Sequence, residues 1–118
     1  RCKCGKCDST GAEISDELLD AVQALRTICE FPFIITSGYR CPSHPAEKHK
    51  DFVGSHGLGM AVDIAVSHEE AIHLLRHALN SGLFNGIGVS QKGDSRFIHL
   101  DVATDLEVNA PRPHIWTY

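Results

Sequence analysis

The sequence predicts an α+β fold in which two main helices pack on a small, largely antiparallel sheet. Two stretches, 15–29 and 67–82, carry apolar residues at helical spacing, and four short runs read as strands, the last two alternating in period two around a turn. The length of 118 residues, 42% of them apolar, suits one core. At that size a chain buries roughly two thirds of its unfolded surface, so residues 1–118 are expected to form a single domain.

Taken in order, residues 1–12 are polar, contain glycine and hold Cys2, Cys4 and Cys7, which predicts an entry loop or knuckle. Ile14, Leu18, Val22, Leu25, Ile28 and Cys29 then fall on one helical face. Ser15 can cap this helix, and Asp16 and Glu17 suit the positive end of its dipole. After Pro32, the run Phe33-Ile34-Ile35-Thr36 predicts a buried strand that ends at the Ser37-Gly38 turn. Residues 40–59 have no sustained period and hold two Pro, three Gly and three His; a long irregular segment of this kind is usually functional. Ala61 to Val66 predicts a strand with an acid, Asp63, at its centre. Ser67 with Glu70 three residues on has the form of a capping box, Ala71, Leu74, Leu75 and Ala78 make the buried face, and Gly82 is placed to end the helix. Ile87 to Val89 and Phe97 to Val102 flank Gly93-Asp94-Ser95 and predict a β-hairpin.

Eleven Lys and Arg against fifteen Asp and Glu give a net charge of −4, which argues against a nucleic-acid partner. No run approaches the ~18 apolar residues of a membrane span, so no membrane partner is expected. Eight His in 118 residues are more than ordinary composition supplies, and several stand near acids. A glycine-rich turn between His56 and Asp63 could bring both side chains to one point, and His99, on the later hairpin strand, could lie beside Asp63. Two imidazoles and a carboxylate with a fourth position open are the ligand set of a catalytic zinc. On spacing alone an ordinary reading stays open: Asp63 capping a turn, His56 solvated, His99 half-buried in its strand.

Ser37-Gly38-Tyr39-Arg40, His56-x-x-Gly59-x-Ala61-x-Asp63-Ile64, Gly86-Ile87-Gly88 and Phe97-x-His99-x-Asp101 occur in an order that resembles the zinc D-Ala-D-Ala carboxypeptidase and L-Ala-D-Glu endopeptidase family, peptidase family M15, in its small phage-type branch. That family shares its fold with the hedgehog signalling domain. The resemblance spans about residues 30–118. It implies a hedgehog-like zinc peptidase fold, one catalytic Zn2+ held by His56, Asp63 and His99, and Arg40 pointing into the site. An Arg fork there could hold a substrate carboxylate or a developing oxyanion. Trp116 and Tyr118 look like the aromatic tail of relatives and either wall the cleft or pack in the core.

Amide hydrolysis at such a site needs a general base. Where many relatives carry an acid three residues before the last His ligand, this chain has Arg96. Asp101, two residues after His99 and on the same strand face, is the expected base, with Asp94 in the preceding turn as the other choice. A different role also stays open for Asp101: fixing the orientation of a ligand His or of Arg40. His73 and His77, four apart on the second helix, lack the Glu that a zincin helix needs after its first His and are expected at the surface, as are His44 and His49. Cys2, Cys4 and Cys7 with Cys41 could hold a second, structural Zn2+; a disulfide to Cys41 or free thiols are the other readings, with Cys29 a buried helix residue.

The resemblance therefore implies a monomeric zinc metallopeptidase acting on a bacterial cell-wall peptide, the stem of peptidoglycan, encoded by a phage or prophage. The other functions kept in view are a non-catalytic zinc-binding module and a phage structural component with a retained peptidase fold.

Overall fold

The computed structural model describes residues 14–38, 55–56 and 58–118. They form a five-stranded sheet with three helices. In chain order the elements are α1 (Asp16–Cys29), β1 (Ile34–Ser37), β2 (Ala61–Ala65), α2 (His68–Ser81), β3 (Gly86–Ser90), β4 (Phe97–Asp101), α3 (Asp105–Val108) and β5 (His114–Thr117). The α+β class read from the sequence is the class observed. No helix among the described residues is long and apolar enough to cross a membrane.

The helix α1 begins where its cap predicts. Ser15 Oγ accepts the Leu18 N–H at 3.1 Å, and Glu30, in the left-handed region at φ 62°, closes the other end. Leu18, Ala21, Leu25 and Cys29 form the buried stripe. At α2 the expected capping box is not made. Ser67 occupies the N-cap position, but its side chain makes no capping hydrogen bond, because the next residue, His68, takes a left-handed φ of 51° and turns the chain away from the usual capping path. A capping box forms instead at α3, where Thr104 and Glu107 satisfy each other's backbone N–H groups. Gly82 ends α2 at φ 68°, as its position predicts.

The sheet order is β1-β2-β4-β3-β5, antiparallel throughout except for the β3–β5 pair. Alternation of side chains gives it two unlike faces. Val62 and Ile64 of β2, Ile98 and Leu100 of β4 and Ile87 of β3 point into one buried cluster with Leu18, Leu25, Leu74 and Ala78 of the two long helices. The alternate residues face the other way: Asp63 on β2, His99 and Asp101 on β4, Gly86 and Gly88 on β3. The pairings Ser37↔Asp63, Asp63↔His99, Gly88↔His99 and Gly88↔Trp116 align five residues in one row across all five strands.

Candidate metal centre

Asp63 and His99 are cross-strand partners on neighbouring strands, so sheet pairing alone holds their side chains together. His56 comes from the turn before β2. The Gly59 N–H donates to the His56 carbonyl at 3.1 Å and the Met60 N–H to the Ser55 carbonyl at 2.9 Å, a tight reversal with Gly59 at φ 71° that folds His56 back over the sheet. The glycine-rich turn anticipated from sequence thus has the geometry that brings His56 to Asp63. All three residues are buried.

Their inner atoms converge. His56 Nε2 lies 3.2 Å from Asp63 Oδ1, His99 Nδ1 lies 3.1 Å from the same oxygen, and the two ring nitrogens are 3.2 Å apart. Their outer atoms fix what the inner ones can be. His56 Nδ1 lies 2.8 Å from the Gly38 carbonyl, which can only accept, so Nδ1 carries the proton. His99 Nε2 lies 2.7 Å from Asp101 Oδ2. Burial alone would raise the Asp101 carboxyl, but hydrogen bonds from His99 and Arg112 outweigh it and hold Asp101 below its ordinary range. Asp101 is therefore an ionised acceptor, and Nε2 of His99 is the donor. With both imidazoles neutral in these tautomers, two nitrogen lone pairs and a carboxylate oxygen would face one another, an arrangement that either a shared proton or a metal ion relieves. Three donor atoms converging in a buried position suit a cation, a proton in the metal-free protein or a metal ion.

Zinc fits this set in both size and donor type. A tetrahedral ion with donors at about 2.0–2.1 Å has edges of about 3.3–3.4 Å between donor atoms, close to the observed triangle. His56, Asp63 and His99 form the group among the described residues that could hold a metal ion. The same crowding acts on the protonation states. Burial would raise Asp63, yet hydrogen bonds from both His hold it far below the usual carboxylate range. Burial would lower His99, yet its bonds to Asp101 and Asp63 raise it.

A family model for peptidase M15 matches residues 1–101. The chain belongs to the peptidase M15 family. Searches of curated proteins and of solved structures found no match. M15 membership makes the chain a metallopeptidase of a zinc-dependent family, and the three convergent residues all lie within the matched span. Arg112 and β5 lie beyond it.

Around the M15 centre, Ser55, Phe97, Trp116 and Tyr118 help to wall a cleft of about 340 Å3 that reaches His56, Asp63 and His99. The Trp116 and His99 ring centroids are 5.1 Å apart. This contact depends on Gly88 lying between them in the row: a β-carbon there would stand 2.6 Å from the indole. Gly86, opposite Asp101, leaves the room its carboxylate occupies in the same way. The Gly86-Ile87-Gly88 motif therefore has a packing cause.

Asp101 sits behind His99, fully buried, with Oδ1 and Oδ2 both bonded to Arg112 and Oδ2 also to His99. It does not line the cleft. Asp94 lies in the β3–β4 loop and lines a separate depression with Ser67, His68, Glu70 and Arg96. His73 and His77 pack edge to face on the half-exposed side of α2, away from this cleft. Arg40, His44, His49 and the four residues Cys2, Cys4, Cys7 and Cys41 lie outside the described residues. Cys29 is a buried free thiol whose pKa burial pushes up. Sequence reasoning missed Arg112, because nothing local marks an arginine that pairs with an acid on another element.

Proposed function

We propose that this chain is a zinc peptidase that hydrolyses amide bonds in the peptide stem of bacterial peptidoglycan, as an L-Ala-D-Glu endopeptidase or a D-Ala-D-Ala carboxypeptidase of phage or prophage origin. The observation that carries the reading is the convergence of one donor atom each from His56, Asp63 and His99 in the lining of a cleft, in an M15 chain. Zinc, when bound, supplies Lewis acidity, polarising a scissile carbonyl and making a water easier to deprotonate.

The chain's own residues do the rest. His56 is oriented through Nδ1–H on the Gly38 carbonyl and His99 through Nε2–H on Asp101. Such outer hydrogen bonds fix the tautomer that a metal requires. Of the two roles open to Asp101, this geometry favours orientation of His99 over proton transfer from water, since a base must reach the cleft and Asp101 has no face on it. Trp116 and Tyr118 line one side of the cleft. Arg40 remains our choice for the group that holds a substrate carboxylate or oxyanion.

A second reading, a non-catalytic zinc-binding module, has one specific support. Among the described residues lining the cleft, Asp63 is the sole carboxylate, and it is a proposed ligand. Mass spectrometry of the soluble fragments released from purified sacculi, with and without a zinc chelator, tests both. Chelator-sensitive release of defined stem fragments is the expected result, and the new termini name the bond. Zinc-loaded protein that releases nothing from Gram-negative or Gram-positive sacculi would sink the peptidase reading in favour of the module.

A further inference from the structure

One buried ion pair stands outside the proposed ligand set. Arg112 follows α3, and its side chain returns to β4, where Nε donates to Asp101 Oδ1 at 3.0 Å and Nη2 to Oδ2 at 2.9 Å. Nη1 donates to the Pro111 carbonyl at 2.7 Å, and the guanidinium carbon lies 4.9 Å from the Trp116 ring centroid. Both side chains are buried, at 8% exposure for Arg112 and 0% for Asp101, with Arg112 also bordering the cleft. A carboxylate so buried needs a cation beside it. The two-pronged contact also fixes the plane of the carboxylate, which a single ammonium cannot do.

We propose that Arg112 is a positioning residue of the metal centre: its bidentate hold aims the Asp101 carboxylate at His99 Nε2–H, which leaves Nδ1 of His99 to face the metal. The line of action runs from Arg112 through Asp101 and His99 to the ion. It reaches the centre from beyond residue 101, where the family match ends. The inference rests on the zinc reading above.

The test is a titration of metal-stripped protein with Co2+ alone, read by visible absorption and by competition with a chelator. It uses wild type, R112M, R112K, D101N and the double variant R112M/D101N, with thermal melts as a check on folding. Wild type is expected to bind one Co2+ with the intense bands of a four-coordinate ion. R112M should bind about tenfold more weakly with shifted bands, the scale on which outer partners of a ligand His act. R112K should recover only part of the loss, since it restores charge without the fork. In the D101N background R112M should add little, because Arg112 acts through Asp101. Wild-type affinity and spectrum in R112M overturn the proposal, as do losses that simply add across the cycle. A raised KM for wall peptide with unchanged Co2+ binding would make Arg112 a substrate contact and also overturn it. Should R112M fail to fold, R112K decides: Co2+ binding equal to wild type overturns the need for the fork, and weakened binding in a folded R112K supports it. Wild type that binds no Co2+ would bring down the zinc reading itself, and this proposal with it.

Discussion

His56 is one corner of the convergent triangle and Asp101 lies outside it against His99, so the consequences of losing them differ. His56→Ala removes a proposed ligand and should abolish stoichiometric zinc and hydrolysis together, read by elemental analysis beside fragment release; an active, zinc-replete variant would refute the ligand assignment. Asp101→Asn keeps the shape but loses the charge. With Asp101 behind His99, zinc affinity should fall about 10–100-fold while hydrolysis recovers at saturating zinc. Zinc held at wild-type strength with hydrolysis lost would instead make Asp101 the base. The convergence of His56, Asp63 and His99 could be read from the chain because two of them flank a glycine-rich turn and the third follows the strand alternation after Phe97. The burial of Asp101 could not, because it depends on Arg112, eleven residues on and across a loop and a short helix.

At the scale of elements, two serines offer a matched comparison. Ser15→Ala removes a capping bond that is present and should cost about 1 kcal/mol, whereas Ser67→Ala removes none and should cost a few tenths at most, measured by urea unfolding. Gly88→Ala should cost about 1–3 kcal/mol and move the indole away from His99, because the new methyl meets Trp116 and not open space. Trp116 is the sole tryptophan, so its fluorescence reports that displacement directly. Both long helices and the β3–β4 hairpin were legible from period and caps, which are local signals. The strand β5 was not: four residues that add in parallel to a sheet edge leave no period to read. The helix α3 had a signal that went unread, Thr104 with Glu107 three residues later.

For the whole molecule, the buried charges set a pH window for the metal-free state. His99 is raised in the fold, so its contribution is complete below its ordinary value of about 6.5 and is lost as pH rises through the higher folded value. Asp63 and Asp101 are lowered, so theirs is complete above about pH 4 and is lost as pH falls further. Melts in chelator should therefore peak between about pH 4 and 6.5. Added zinc should raise the melting temperature more at pH 8 than at pH 6, because the ion competes with the proton on His99. An apo melting temperature that climbs steadily from pH 6 to 8 would contradict this account. The strand β4 ties assembly of the centre to the core by a simple parity. Ile98 and Leu100 enter the apolar cluster while His99 and Asp101 lie on the opposite face of the sheet, so a slip of one residue would exchange the two sets. A misregistered strand would have to bury an imidazole and a carboxylate among Leu18, Leu25 and Leu74, and such a state has no compensating partner for either. The hydrophobic core thus proofreads the ligand geometry. A one-residue insertion within β4 should cost the chain its cooperative unfolding transition as well as its metal.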